Sequence, residues 1–191
     1  MYEPGQDPYC YAGTDILINV PGLRDAAALE RFEMAIAAQR ASEPLPAGRS
    51  SARHYRAIHH HLFGDVYAWA GRYRTVRLTK GRSTFCYPEH IASEMTRLFL
   101  ALRRAQYLRR LSADEFAGRA AHFLAELNAI HPFREGNGRT QLCFMALLAA
   151  RAGHPMSLTR LDPGGFLAAT IESFSGSEEP LARQIRELIV R

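Results

Sequence analysis

Residues 120–150 read AAHFLAELNAIHPFREGNGRTQLCFMALLAA, two apolar runs separated by a short stretch dense in glycine and charge. The first run follows Ser112 and Glu115, whose spacing is that of a capping box, so a central helix starts after Ser112 and ends just before His131. The second run, continuing as LCFMALLAARAG, is apolar almost all round and predicts a buried helix stopped by Gly153. Two core helices joined by a polar loop make the expected class all-α.

Working outward, the other segments agree. Asp25 can cap a helix through RDAAALERFEMAIAAQRAS, and the prolines of EPLPAG end it. SARHYRAIHHHLFGDVYAWAG carries one apolar helical face, interrupted at Gly64 and Gly71. RTVRLTKGRSTFCY then alternates apolar and polar around Lys80-Gly81, the pattern of a short hairpin. Pro88 fits the first turn of the next helix, and further helices follow Asp162-Pro163 and Pro180. The expected architecture is a helical bundle with one short β-hairpin, with no internal repeat or linker to divide it.

At 191 residues with 47% hydrophobic positions, the chain can bury a core as one domain. Its longest uncharged run, Thr140 to Ala150, falls far short of the roughly 20 residues of a membrane span. The N-terminus has no basic flank before an apolar stretch, and Cys10, Cys86 and Cys143 are an odd set without a C-x-x-C pair. Cytoplasmic residence with reduced thiols is the expectation. A net charge of +5 invites polyanions, but no helix is basic along a whole face, so nucleic acid is set aside as the main partner.

The loop His131 to Asn137 lies between core helices, where unpaired polar groups are costly, so it is expected to serve a ligand. Gly136 and Gly138 let main-chain N–H groups approach a bound group, and the helix beginning there favours an anion. Arg139 supplies charge-assisted donors to phosphate and Asn137 a neutral amide. Glu135 would repel phosphate unless Mg²⁺ sits between them. His131, neutral near its ordinary pKa of about 6.5, can take a proton from an attacking hydroxyl. Pro132 and Phe133 orient and anchor the loop.

HPFREGNGR resembles the signature of the Fic family, His-Pro-Phe-x-Asp/Glu-Gly-Asn-Gly-Arg-x-x-Arg. IHHHLFGDVYAWAGRYRT is similar to the segment before that family's flap, and RLTKGRSTFCYP to the flap hairpin. YAGTDILIN resembles bacterial members paired with a small antitoxin. The resemblance implies one Fic domain over 1–191, with an N-terminal arm (1–24), a flap hairpin (74–87) and an active-site loop and helix start (131–142). It implies a protein adenylyltransferase, moving AMP from Mg-ATP to a Ser, Thr or Tyr hydroxyl of a target protein, as the toxin of a toxin–antitoxin pair. By position, His131 is the base, Glu135 the Mg²⁺ ligand, Asn137 and Arg139 phosphate binders, and Gly136 and Gly138 anion-hole backbone. The flap at Thr79, Lys80, Gly81 and Phe85 would hold the target segment by strand-like pairing.

The sequence departs from that signature at Leu142, where the family has its second arginine. The loss of one charge-assisted phosphate contact is worth about 1.5–3 kcal/mol. Two alternatives follow: a Fic-type transferase using another nucleotide or phosphoryl group, or a weakened domain kept as a partner-binding module. The family's inhibitory pattern, Ser/Thr-x-x-x-Glu-Gly/Asn, is missing from the chain. The only Glu followed by Gly or Asn is Glu135 itself, so inhibition is expected from a separate antitoxin. His59, His60 and His61 point in different directions on a helix and do not suggest a metal site, and Trp69 reads as core or hairpin support.

Overall fold

The computed structural model describes residues 7–80 and 83–190. Seven α-helices are found among them. The first, α1 (Ala26–Ser42), begins where the Asp25 carboxylate accepts from the Ala28 N–H at 2.8 Å. Next, α2 (Ala52–Phe63) is capped by Ser51 and ends at Gly64 rather than running on to Gly71. The Val66 and Tyr67 N–H groups turn back to the Phe63 carbonyl, so the apolar spacing continues through turns, not helix.

After two short antiparallel strands, β1 (Thr79–Lys80) and β2 (Ser83–Thr84), come α3 (Pro88–Arg104) and α4 (Ala113–Ile130). The Ser112–Glu115 capping box is formed in both directions. A fifth helix, α5 (Asn137–Ala152), stops at Gly153, whose φ of +93° needs no Cβ penalty. Finally, α6 (Pro163–Glu172) is capped by Asp162, and α7 (Glu179–Leu188) carries Pro180 in its first turn. The all-α class with one hairpin is the observed one.

The central helix is α4, packed on α3, α5 and α7, while α2 joins α1 to α5. The core between them is aromatic. Tyr55 stacks on Phe133 at 5.5 Å and meets Phe144 edge-on at 5.5 Å, and Phe99 meets Phe123 edge-on at 5.5 Å. Phe133 belongs to the loop after α4 and is fully buried, a contribution of about 1.5–3 kcal/mol that fixes the loop to the bundle. The N-terminal arm closes over the other side of the same loop. Asp7 accepts from Arg134 Nε at 2.8 Å, and Tyr9 meets Trp69 edge-on at 5.5 Å.

No helix among the described residues is long and apolar enough to cross a membrane.

Candidate active site

The loop between α4 and α5 is built by backbone exceptions at both ends. His131 caps α4 in the left-handed conformation (φ 47°, ψ 64°), which a non-glycine residue adopts only at a cost. At the other end Gly136 has φ +78°, and a Cβ there would come within 2.5 Å of the Phe63 ring. No other residue fits that position without moving an aromatic of the core.

Asn137 is buried with its carboxamide turned back into the loop. Oδ1 accepts from the Phe133 N–H at 3.0 Å, and Nδ2 donates to the Phe133 carbonyl at 2.8 Å. Both ends of that amide thus bond the Phe133 backbone and shape the loop from behind. Thr140 Oγ1 closes the turn on the Gly136 carbonyl at 2.8 Å. The Gly138 and Arg139 N–H groups lie in the first turn of α5, where a helix leaves its donors free for an anion.

His131 faces the flap. Its ring stacks on Phe85 at 3.9 Å, and Nδ1 is buried with no hydrogen-bond partner among the described residues. Burial, then the charges of Arg74 and Lys80, push its pKa down to about 3, with the Asn128 carbonyl opposing. The ring is therefore neutral. Phe85 is itself buried, so it forms the floor under the flap rather than an exposed docking side chain. Thr79 pairs with Thr84 across the hairpin, and Thr79 and Lys80 are exposed. Gly81 lies outside the described residues.

Glu135 and Arg139 face a different space, a cavity of about 490 Å³ lined also by Leu17, Leu29, Glu33 and Tyr67. The Glu135 carboxylate is 45% exposed. Its Oε1 accepts from the Gly136 N–H at 2.8 Å and lies 3.6 Å from Arg139 Nη2. The Arg139 guanidinium lies 4.7 Å over the Phe63 ring and is paired with Glu33 of α1. Glu33 also accepts from the Tyr67 hydroxyl. Burial and then Glu33 push that hydroxyl far above its ordinary pKa, so it remains a donor. His131 and Arg139 thus mark the two ends of one loop, one under the flap and one on the cavity. Leu142 packs half-buried against the core.

Three supporting residues were not expected from sequence. His59 is fully buried and accepts the Gly71 N–H on Nδ1 at 2.8 Å. Its proton is therefore on Nε2, which donates to the Glu135 carbonyl at 2.9 Å. Burial lowers its pKa to about 3, so it stays neutral. Its spacing from Tyr55 and Leu62 on the apolar face of α2 was the available signal. Glu33 had a similar one, standing in the buried row Leu29, Glu33, Ala37 of α1. Arg74 had none, because its partners are main-chain carbonyls. His60 and His61 bond the carbonyls of Ala70 and Arg40, away from His59.

The sequence pattern of the Fic/DOC family matches residues 49–149. The chain is 49% identical over 189 residues to the probable protein adenylyltransferase y4lH of Sinorhizobium fredii, covering 98% of each. It is 40% identical over 188 residues to the protein adenylyltransferase VbhT of Bartonella schoenbuchensis, covering 97% of this chain and 39% of that one. Among solved structures, BepC of Bartonella tribocorum with bound AMPPNP superposes with a TM-score of 0.86 at 28% identity, covering 95% of this chain and 96% of that one.

Proposed function

This chain belongs to the Fic/DOC family, and on that premise we propose that it is a protein adenylyltransferase moving AMP from ATP to a hydroxyl side chain of a target protein. One observation carries the reading: a single loop ends in a neutral histidine on one side and an arginine-bearing helix N-terminus on the other. Relatives over the whole chain are named for that activity.

In the reaction a Ser, Thr or Tyr oxygen of the target bonds to the α-phosphorus of ATP. The bond from that phosphorus to the oxygen bridging the β-phosphate breaks, and pyrophosphate leaves. His131 takes the hydroxyl proton. A ring with so depressed a pKa is a weak base alone, but the negative charge of a nearby nucleotide raises its proton affinity. The α5 N-terminus at Gly138 and Arg139, with the Gly136 turn, receives the phosphates, and Asn137 holds that cradle from within. Glu135 fits Mg²⁺ by its chemistry, as a half-exposed carboxylate beside a phosphate-binding helix end. Bound there, Mg²⁺ would neutralise phosphate charge. Phe133 and Pro132 fix the loop. The flap from 74 to 87 aligns the target segment by pairing along Thr79 and Lys80.

We assign the described residues to one Fic unit, acting in the cytoplasm as the toxin partner of a small antitoxin. Support comes from three unpaired cysteines and from the YAGTDILIN segment.

Leu142 favours a second reading. With no arginine at that position and Arg139 already paired to Glu33, the outer phosphates are held less firmly, which suits a different nucleotide or a weakened enzyme kept for partner binding. Intact-mass spectrometry of a target fraction incubated with Mg-ATP separates the readings. The expected result is addition of one AMP by wild type, a rate lower by about 10²–10⁴ in His131→Ala, and a gain in Leu142→Arg. Equal transfer by wild type and His131→Ala would sink the assignment of the base, and addition of a different mass would favour the second reading.

A further inference from the structure

Arg74 is among the largest fully buried side chains of the protein, at 2% exposure. Among the described residues no carboxylate pairs with it. Its donors go to main-chain carbonyls: Nε to His131 at 2.8 Å, Nη1 to Val76 at 2.6 Å, and Nη2 to Cys86 at 2.6 Å and Ile130 at 3.2 Å. Its own N–H donates to the Pro132 carbonyl at 2.9 Å.

These acceptors come from three separate pieces of chain. Ile130 and His131 end α4, where carbonyls lack helical partners and the helix dipole is negative. Val76 leads into β1, and Cys86 leaves β2. A buried cation without a counter-ion is expensive unless its donors are used, and here four of the five guanidinium N–H groups are used, on the loop after α4 and both legs of the hairpin together.

We propose that Arg74 is a positioning residue for the transfer reaction: it fixes the left-handed turn that aims the His131 ring and holds the flap, through Phe85, against that ring. The proposal rests on the reading of His131 as the base. Arg74 bonds the Ile130 and His131 carbonyls, which belong to the peptide groups before and after the His131 Cα, so the unfavourable backbone of His131 is held from both ends. On the flap side, the Cys86 N–H donates to the Ala129 carbonyl at 3.0 Å, and Phe85 then lies flat on His131 at 3.9 Å. A lysine cannot replace this plane of donors, because a single ammonium does not span four carbonyls in a fork. Burial, then the positive charges of Arg74 at the start of the flap and Lys80 on β1, keeps the ring unprotonated.

The test compares wild type, Arg74→Lys, Arg74→Gln and His131→Ala by steady-state kinetics, thermal melting and the ¹H–¹³C signals of the His131 ring. The stacked Phe85 ring shifts those ring signals, which His131→Ala identifies by their disappearance. The expected result for folded Arg74→Lys is a kcat about 100-fold lower, a KM for Mg-ATP within about threefold of wild type, and loss of the Phe85-induced shift. An unchanged shift with wild-type kcat overturns the proposal. So does a variant that melts early while its folded fraction turns over at the wild-type rate, since that assigns Arg74 to stability alone. Should His131→Ala keep full activity, the reading of the base fails instead, and the ring signals still report whether Arg74 aims the side chain.

Discussion

His131 is placed where two demands oppose each other. The base we propose it to be must accept a proton, yet burial under Phe85, then the charges of Arg74 and Lys80, lowers the ring's pKa to about 3. The sign is clear: the ring is competent above that pKa and loses competence only as pH falls through it. We therefore expect kcat/KM, which reports the free enzyme, to show no histidine limb near pH 6.5 and to stay flat from about pH 5 to 8. A pH–rate profile with a limb at pH 6 to 7 that vanished on changing His131 would contradict the burial of the ring. Leu142 is the other residue-scale question. Its replacement by arginine adds a charge one turn beyond Arg139, and a charge-assisted phosphate contact of about 1.5–3 kcal/mol corresponds to roughly 10- to 150-fold tighter nucleotide binding. Titration with a non-hydrolysable ATP analogue measures that gain.

At the scale of the elements, α4 and α5 have ends with different purposes. The N-terminus of α4 carries a capping box far from the chemistry, so Ser112→Ala should cost about 1 kcal/mol in urea unfolding and leave transfer rates unchanged. The start of α5 is the reverse case. Gly136→Ala adds a Cβ at a φ of +78° and within 2.5 Å of Phe63, so strain and overpacking act together. More than about 2 kcal/mol of stability should be lost, and the Phe133 and Arg139 positions with it. An alanine variant of wild-type stability would mean that the loop relaxes freely. Both helices were legible in the sequence because their caps and apolar spacing are local. The end of α2 was less so: its apolar spacing ran on to Gly71, while the chain itself leaves the helix at Gly64.

Across the whole molecule, stability is coupled to proton uptake. His59 and His131 are each held neutral with folded pKa values of about 3, against ordinary values of 6.5. The unfolded chain therefore binds protons at these rings that the folded chain refuses, and stability falls as pH drops from about 6.5 toward 3. Urea midpoints at pH 7 and pH 5 should show the decline. His59→Gln, which keeps a donor and an acceptor but has no charge to gain, should make it shallower. An identical slope in that variant would remove His59 as a contributor.

Caps, prolines, glycines and apolar periodicity act over a few residues, so the all-α class, the central pair of helices, the hairpin and the loop from His131 to Asn137 could be read directly from the amino-acid sequence. Only the tertiary structure decided what surrounds that loop. Glu33 reaches Arg139 from α1, His59 holds the Glu135 carbonyl from α2, and Arg74 bonds the carbonyls of His131 and the flap. It also turned Asn137 inward and laid Phe85 on His131. Four of these five join segments far apart in the chain, several through main-chain carbonyls that every residue possesses, so no local pattern of side chains can encode the pairing. Asn137 is the exception: it bonds the Phe133 backbone four residues away, and which way its amide turns depends on the burial of the loop.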